Sequence, residues 1–379
     1  MEINMEKENR SGKTALIAMS GGVDSSVAAY IMHQKGYRCM GTTMRLFSNG
    51  EIHREGAHTC CSAKDVEDAA MVAEEIGIPY GVINMMDDFN EKIIQKFIRV
   101  YEEGGTPNPC IDCNRYMKFD KLMEFAHENG YDYIVTGHYA RIERDENTGR
   151  WLLKKAVDST KDQSYVLYSL TQDQLAHTQF PLGELRKTEV RKIAGALKFV
   201  NADKHDSQDI CFVPDGDYVE FIENYTGKAH APGDFLDLQG NKIGTHQGAI
   251  GYTIGQRRGL HLAMGEHVYV CRKDMKNNTV TVGPGQALFS RTLIADEMNW
   301  ISIPELSGPM RVAAKARYRQ KEQQATVWPL KDGTIRLVFD EPQRALTVGQ
   351  ALVLYDGDVV VGGGTITEVP EEEPVGSAG

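Results

Sequence analysis

Residues 15–26 read ALIAMSGGVDSS, and this stretch decides the fold. Residues 15–19 form an apolar run that is typical of a buried strand. A Gly/Ser loop follows, and then Val23, Val27 and Ile31 recur at the spacing of one helix face. The pattern predicts a strand, a loop and a helix, which is the repeating unit of a mainly parallel α/β sheet.

The same unit recurs further along the chain. Residues 65–76 have helical spacing before a strand at 81–84, and residues 118–129 predict a helix before a strand at 133–136. Gly137 follows that last strand. Because open parallel sheets bind ligands beyond the carboxyl ends of their strands, Gly137 is predicted to lie at a ligand site.

The pattern changes near residue 215, where Gly, Pro and short β-like runs begin to dominate. We expect an α/β domain over 1–215, a small central domain over 216–285 and an antiparallel β-barrel over 286–369, because Ile335, Leu337 and Phe339 alternate with polar residues. The acidic tail over 370–379 is predicted to be disordered.

Composition narrows the class of protein. A chain of 379 residues predicts two or three domains, and its net charge of −11 requires any RNA site to be a local basic patch. The seven cysteines, an odd number, do not suggest a disulfide framework, and no apolar window would span a bilayer. We expect a cytoplasmic protein that associates with neither membrane nor DNA.

The loop after the first strand is predicted to cradle phosphate. Its glycines let backbone N–H groups approach phosphate oxygens, its hydroxyls add donors, and a helix begins directly after it. It lacks both the Lys of a Walker loop and the pattern of dinucleotide folds. Asp24 is a candidate direct or water-mediated ligand of Mg²⁺. The alternative is a glycine turn in which Asp24 or Ser25 caps the helix.

Three cysteines are candidates for sulfur chemistry. Cys110 and Cys113 lie in NPCIDCN, after a Gly/Pro-rich stretch that predicts an exposed loop, and Cys211 lies in SQDICF. Two thiols suffice for a persulfide that is resolved as a disulfide, whereas all three together would ligate a 4Fe–4S cluster. A zinc clip or unreactive thiols remain the alternative.

The other cysteines are predicted to have structural roles. Cys60 and Cys61 are adjacent, so their side chains point apart in an extended chain. Cys39 and Cys271 lie in β-like runs, where a cysteine usually behaves as a small buried apolar residue.

A basic stripe is predicted in the C-terminal barrel. Arg311, Lys315, Arg317 and Arg319 occupy alternate positions, which share one face if the whole stretch is a strand. Such a stripe could position RNA through its phosphates, and Tyr318 could stack on a base or ribose. The alternative is a solvated edge strand.

The loop SGGVDSS resembles the PP-loop of ATP pyrophosphatases, which split ATP between its α and β phosphates and transfer AMP to an oxygen. Six segments in one order resemble the bacterial tRNA-specific 2-thiouridylases over residues 14–369. They are SGGVDSS, NPCIDCN, TGHYA, KDQSY, QDICF and YTIGQR.

This resemblance implies a PP-loop domain, a small central domain and a C-terminal β-barrel that helps to hold tRNA. It implies that Cys113 is the catalytic nucleophile and that Cys211 carries the persulfide. The implied ATP-binding residues are Ala18, Met19, Ser20, Gly21, Gly22, Val23, Asp24, Ser25, Met44 and Gly137. The implied tRNA-binding residues are Asn108, Pro109, Cys110, His138, Lys161, Asp162, Gln163, Arg317, Tyr318 and Gln350.

His138 has a second interpretation as a buried strand-end histidine. Cys110 departs from the family pattern, which usually has Asp at the first position of D-x-x-C. A carboxylate there would orient or deprotonate the base, whereas a thiolate suits a metal cluster. This departure motivates the hypothesis of a 4Fe–4S cluster ligated by Cys110, Cys113 and Cys211.

The resulting hypothesis is ATP-dependent 2-thiolation of the wobble uridine of tRNA. Adenylation by ATP with Mg²⁺ would turn the uridine O2 into a leaving group, and a persulfide or cluster-held sulfide would displace it. The sulfur would come from a persulfide carrier protein or inorganic sulfide. The alternatives are another PP-loop ligase, which needs no cysteine set, and a non-catalytic tRNA-binding or sulfur-carrier protein.

Overall fold

The computed structural model describes residues 12–47, 63–205, 210–213 and 216–370. The chain forms two compact units. The first comprises Met1–Ile94, Pro109–Gly216 and Asp358–Val360, and the second comprises Gln95–Asn108, Asp217–Gly357 and Val361–Gly379. No helix in the described ranges has the length and apolar character needed to cross a bilayer.

The first unit is built on a parallel sheet. Its strands, numbered along the chain, are β1 (Thr14–Ala18), β2 (Arg38–Arg45), β3 (Tyr80–Asn84), β4 (Tyr133–Val135), β5 (Ala140–Arg144), β6 (Trp151–Lys155) and β7 (Thr178–Gln179). Five of them form the sheet in the order β3-β2-β1-β4-β7, and every neighbouring pair is parallel. The other two, β5 and β6, pair antiparallel.

The first unit also contains helices, some of which pack against this sheet. They are α1 (Val23–Gln34), α2 (Ala63–Ile76), α3 (Met86–Phe89), α5 (Pro109–Asp112), α6 (Leu122–Glu128), α7 (Gln172–Ala176) and α8 (Lys187–Ala196). Val27 on α1 is fully buried, as are Leu16 and Ile17 on β1. Burial of the apolar face of α1 against β1 stabilises the unit. The predicted succession of strand, loop and helix is confirmed.

The predicted loop around the C-x-x-C pair is wrong. Residues 109–128 are helical throughout: α5 leads into a π-helical segment, Cys113–Lys121, and then into α6. Pro109 is the first residue of α5, and proline suits that position because its fixed φ is helical and its missing N–H would have no helical acceptor there. The Gly- and Pro-rich composition belongs to the non-helical residues before this helix, and the two cysteines lie within the helix.

The second unit begins with a helix and a small sheet. Its helices are α4 (Gln95–Glu102) and α9 (Tyr218–Thr226), and α9 is capped by the Asp217 side chain. The sheet has the order β10-β11-β8-β9, formed by β8 (Gly233–Leu236), β9 (Lys242–His246), β10 (Tyr269–Asp274) and β11 (Thr279–Gly283). Phe235, Val270 and Val280 are fully buried in its core.

The remaining strands form a closed barrel. They are β12 (Phe289–Trp300), β13 (Met310–Lys315), β14 (Gln323–Pro329), β15 (Ile335–Arg344), β16 (Ala351–Asp356) and β17 (Val359–Glu368). Their order is β12-β15-β14-β13-β16-β17, and pairing of β17 with β12 closes the ring. The predicted fold class, a parallel α/β domain with a small central domain and an antiparallel barrel, is confirmed.

The basic stripe is only partly as predicted. The inward side of the stretch is confirmed, because Val312, Ala314 and Ala316 are buried. However, β13 ends at Lys315, so Arg317 and Arg319 lie in the following turn and do not share a strand face with Arg311. Alternation of residue types alone does not reveal where a strand gives way to a turn.

Candidate nucleotide site and cysteines

The predicted ATP-binding residues meet at one edge of the parallel sheet. Ala18 ends β1, Met44 lies near the end of β2, and Gly137 follows β4, and these three strands are neighbours. The carboxyl ends of parallel strands lie along the same edge, which is where such sheets bind ligands.

The phosphate loop leads directly into α1. The first hydrogen bond of the helix runs from Ser26 N to Gly22 O, so the backbone N–H groups of Val23, Asp24 and Ser25 precede the helical ladder. The Ser25 hydroxyl accepts a hydrogen bond from Ser20 N at 3.2 Å and donates to Gly22 O at 3.0 Å. These bonds fix the loop around a helix N-terminus that favours an anion.

Two glycines make this geometry sterically feasible. Gly21 has φ of +71°, and a Cβ there would lie 2.3 Å from Asp65 O. A Cβ on Gly137 would lie 2.7 Å from Ser25 N. Both distances are far below van der Waals contact. The turn after β4 therefore touches the start of α1 only because residue 137 has no side chain.

Asp24 is neutralised by a residue that sequence reasoning missed. Lys187 Nζ lies 2.7 and 2.8 Å from the two carboxylate oxygens of Asp24, and the Tyr139 hydroxyl donates to Asp24 Oδ1 at 2.7 Å. Lys187 is buried at the start of α8. Its positive charge offsets a carboxylate that would otherwise repel phosphate. No local sequence pattern around Lys187 predicts this contact, because Lys187 and Asp24 are far apart in sequence.

A second lysine supports the loop from its carbonyl side. Lys204 Nζ donates to Gly21 O at 3.1 Å, to Asp65 Oδ1 at 2.5 Å and to Asp68 Oδ2 at 2.7 Å. Asn201 Nδ2 donates to Gly21 O at 3.0 Å and to Ser26 Oγ at 2.9 Å. Burial is the largest single influence on the pKa of Lys204 and lowers it. The hydrogen bonds and charges of Asp65 and Asp68 together outweigh burial, so the pKa is raised above its ordinary value. Sequence reasoning missed both residues.

The residues present allow a magnesium ion at Asp24. Oδ1 already accepts from Lys187 and Tyr139, whereas Oδ2 accepts from Lys187 and keeps a further lone pair. Mg²⁺ often takes one carboxylate and completes its coordination with phosphate and water. Asp24 fits that pattern as a donor of one oxygen.

The three candidate cysteines differ in exposure. Cys110 is exposed, whereas Cys113 and Cys211 are half-buried, and all three are thiols. In the part of the chain that the structure describes, no three His, Cys, Asp or Glu side chains are grouped to hold a metal ion. The donor set that a cluster would need is therefore not assembled. Of the SQDICF segment, Ser207, Gln208 and Asp209 lie outside the described residues, as do Cys60, Cys61 and the tail beyond 370.

Cys113 lies where the helix widens from α to π spacing. π-Helical segments are rare and occur frequently at functional sites. The next residue, Asn114, donates from Nδ2 to Val166 O at 3.0 Å and accepts from Lys118 Nζ at 2.9 Å. These bonds fix the position of the helix beside Cys113. Burial raises the pKa of the Cys39 thiol to about 12, which supports its predicted structural role.

His138 is buried and not on an accessible surface. It packs between Phe119 and Phe180 and shares a hydrogen bond of 2.7 Å with the Thr136 hydroxyl. Burial, aided by the nearby Lys118 charge, lowers the pKa of His138 well below its ordinary value. The geometry matches a buried strand-end histidine, and a direct contact with tRNA would require this region to move.

The predicted 161–163 contact is partly internal. Asp162 Oδ1 accepts from Ala156 N at 3.0 Å, and Gln163 Oε1 accepts from Tyr139 N at 2.9 Å. Lys161 is half-buried on the same turn. The Asp162 and Gln163 side chains thus hold the turn against the chain around Tyr139, and contact of residues 161–163 with tRNA stays a prediction.

The predicted tRNA residues of the second unit also have defined surroundings. The Arg317 guanidinium donates to Ala345 O and to Thr347 Oγ1, and the Tyr318 side chain is exposed. Gln350 Nε2 donates to Thr106 O at 2.6 Å, two residues before Asn108. Asn108 is half-buried, whereas Pro109, which starts α5 in the first unit, is buried. Contact of these residues with tRNA stays a prediction.

The sheet edge, the loop and the helix N-terminus define a PP-loop nucleotide-binding protein. Three family models match in order: a tRNA methyl transferase HUP domain at residues 13–215, a tRNA methyl transferase PRC-barrel domain at 219–284 and an aminomethyltransferase beta-barrel domain at 290–366. They cover the domain types that the sequence predicted.

Curated relatives match over nearly the whole chain. The tRNA-specific 2-thiouridylase MnmA of Clostridioides difficile is 50% identical over 93% of this chain and 98% of its own length. The enzyme of the same name from Acetivibrio thermocellus is 50% identical over 94% and 99%. The tRNA-specific 2-thiouridylase MnmA 1 of a Thermoanaerobacter species is 49% identical over 96% and 99%. This chain belongs to the tRNA-specific 2-thiouridylase family.

Gly137→Ala tests the close approach of the β4 turn to α1. The added methyl group must displace Ser25 N, which we expect to destabilise the protein by about 1–3 kcal/mol and to weaken ATP binding. The control is Gly195→Ala on α8, where a Cβ meets nothing within 4 Å and the free energy of unfolding should rise by less than about 1 kcal/mol. Equal effects of the two variants on ATP affinity would contradict the prediction.

Lys187→Met tests the neutralisation of Asp24. Without the ammonium group the carboxylate faces bound phosphate uncompensated, so the dissociation constant for ATP should rise about tenfold or more. Isothermal titration of ATP measures this. Lys192→Met removes an exposed charge from the same helix and should leave ATP affinity unchanged. An unaltered affinity in Lys187→Met would rule out this role.

The buried His138 predicts a pH dependence of stability. Its pKa in the folded protein is lowered, so below about pH 6.5 the unfolded chain binds a proton that the folded chain does not. As the pH is lowered, the free energy of unfolding should therefore decrease, by up to about 1.4 kcal/mol per pH unit from this group. Denaturant unfolding at pH 7.5, 6.0 and 5.0 should show a shallower decline for His138→Gln, and parallel declines would contradict the assignment.

Proposed function

We propose that this protein thiolates the wobble uridine of tRNA at C2, in a reaction that consumes ATP. The observation that carries the proposal is the charge-compensated phosphate loop in a chain whose family is that of the tRNA-specific 2-thiouridylases. The loop supplies activation, and the cysteines of the same unit supply sulfur. We keep the predicted domain limits of 1–215, 216–285 and 286–369 as part of this proposal.

The first step makes a carbonyl oxygen displaceable. Uridine O2 attacks the α-phosphorus of ATP, and the bond to the β-phosphate oxygen breaks, which releases pyrophosphate. Backbone N–H groups at the start of α1 stabilise the negative charge that develops on the phosphate oxygens. When bound, Mg²⁺ would neutralise part of the triphosphate charge, with one oxygen from Asp24.

The second step replaces oxygen with sulfur. The terminal sulfur of a persulfide on Cys211 attacks C2, and AMP leaves with the original oxygen. The Cys113 thiolate then attacks the inner sulfur of Cys211, so a Cys113–Cys211 disulfide forms and 2-thiouridine is released. An external thiol must reduce this disulfide before the next turnover. Cys110 has no obligatory role in the sequence of steps.

Of the two sulfur routes, persulfide and cluster, we propose the persulfide route. The described residues do not group Cys110, Cys113 and Cys211 as a metal-binding set. A cluster needs all three thiolates at once, whereas the persulfide route needs only two of them. A persulfide on a carrier protein can pass its outer sulfur to the Cys211 thiol with no net change of oxidation state, and the carrier is left as a thiol. Inorganic sulfide would need a two-electron oxidant to form that persulfide, so turnover with sulfide alone in the reaction assay below would support the cluster route instead.

The central test measures two products in one reaction. Purified protein receives ATP, Mg²⁺, unmodified tRNA and a persulfide or sulfide source. Pyrophosphate release should depend on tRNA, and mass spectrometry of the nucleosides should show 2-thiouridine. Pyrophosphate release driven by a carboxylate substrate would indicate another PP-loop ligase. No ATP cleavage under any condition would indicate a non-catalytic tRNA-binding or sulfur-carrier protein.

Cysteine variants separate activation from sulfur transfer. Cys211→Ser should lose 2-thiouridine formation but keep tRNA-dependent pyrophosphate release, because adenylation precedes the sulfur step. Cys113→Ser should lose turnover likewise. Iron-free Cys110→Ala protein should have an activity within about threefold of that of the unaltered protein. Cys271→Ala, in the second unit, is the matched control. Loss of activity together with loss of bound iron in Cys110→Ala would instead support the cluster.

A further inference from the structure

The second unit contains an open groove that the proposed reaction does not use. Its volume is about 400 Å³, and it lies where the small sheet and the barrel of this unit meet. The residues that line it include Glu266, His267, Tyr269, Gln286, Phe289 and Arg344. All of them belong to the second unit.

The groove presents flat side chains for stacking. Phe289 is 49% exposed although it is a large apolar residue. It begins β12 and pairs directly with Arg344 on β15, so the two side chains emerge on the same face of the barrel. The Arg344 guanidinium lies over the Tyr269 ring, 4.9 Å from its centroid. Nucleobases stack on aromatic rings and on guanidinium planes of this kind.

Positive charge is concentrated beside the groove. The turn over residues 255–259 is bound to β10 by a hydrogen bond from Gly255 N to Val270 O at 2.8 Å. It lies next to Arg344, because a Cβ on Gly255 would be 3.6 Å from Arg344 Nη1. Arg257 and Arg258 of this turn are exposed. A chain segment with two exposed arginines therefore starts next to Arg344 on a protein of net charge −11, which favours a polyanion there.

The remaining polar groups suit a base better than a bare phosphate. The Glu266 carboxylate would repel a phosphate but accepts hydrogen bonds from exocyclic amino groups. Gln286 and His267 can donate and accept at a base edge. A free inorganic anion would use neither the exposed Phe289 ring nor this carboxylate. An acidic peptide would leave the stacking surfaces unused.

A predicted tRNA contact lies one residue from a residue that lines the groove. The Arg317 guanidinium donates to the carbonyl of Ala345, the residue directly after Arg344. Arg317 and Tyr318 are the residues of the barrel that the family resemblance implies for tRNA contact. A strand of RNA that follows Arg317 and Tyr318 would therefore pass the groove.

We propose that this groove holds one unpaired nucleotide of the tRNA substrate, with its base stacked on Phe289 and Arg344. The inference rests on the proposed function, because it deepens the mode of tRNA recognition. It assigns to the second unit a base-stacking site in addition to phosphate contacts. The site contributes to tRNA affinity and not to the chemical steps.

Binding of unmodified tRNA to the full-length protein tests the proposal. Phe289→Ala and Arg344→Ala should each raise the dissociation constant about tenfold in filter binding at fixed salt. The KM for tRNA should rise equally, with kcat at saturating tRNA and ATP affinity unchanged. Phe289→Tyr keeps a flat ring and should restore affinity to within about twofold.

Matched controls lie elsewhere in the barrel. Leu330→Ala removes an exposed apolar side chain from the turn between β14 and β15, and Arg336→Ala removes an exposed guanidinium from β15. Neither residue lines the groove. Both variants should bind tRNA as the unaltered protein does. A loss in these controls equal to that in the groove variants would overturn the proposal.

The outcomes separate this inference from the function on which it rests. If the unaltered protein makes 2-thiouridine while both groove variants bind tRNA with unchanged affinity, the groove assignment fails alone. If the unaltered protein binds tRNA but makes no 2-thiouridine, the proposed function fails and the affinities still decide the groove. If the groove variants impair only sulfur delivery by a carrier protein, the groove is a protein-docking surface and the proposal is overturned.

Discussion

The contact on which the nucleotide site depends is the salt bridge between Lys187 and Asp24. Asp24 lies at the N-terminus of α1. Its negative charge is stabilised there by the helix dipole but repels a bound triphosphate. Lys187 resolves this conflict with an ammonium group within 2.8 Å of both carboxylate oxygens. Removal of one partner would leave a poorly solvated charge, which costs far more than an exposed salt bridge contributes.

Support from Lys204 and Asn201 extends this constraint to the loop backbone. Both side chains donate to the Gly21 carbonyl, so that oxygen is occupied and directed away from the phosphate side of the loop. The same segment of chain leads on to Cys211. The scaffold that shapes the anion site thus also carries the thiol proposed to hold the persulfide.

Secondary structure that depends on neighbouring residues could be predicted from the sequence, whereas contacts between residues far apart in the chain could not. The strand, loop and helix at the start of the chain follow from local periodicity, and Gly137 follows from a general rule of parallel sheets. Lys187 and Lys204 were missed because their partners lie in the N-terminal strands and helices, and no local spacing encodes such contacts. The helix at Pro109–Asp112 was missed because the Gly- and Pro-rich residues before it obscured its start.

Charge placement in the barrel shows why a basic pattern in sequence is a poor guide to an RNA surface. Arg311 forms two hydrogen bonds of 2.7 Å with Asp340, so its charge is compensated within the barrel. Arg317 is partly committed to the carbonyl of Ala345. Exposed arginines such as Arg257 lie instead in the loop segment before β10 and follow no strand period. An acidic protein attracts RNA through those cations that its own carboxylates leave uncompensated, and only the folded chain determines which these are.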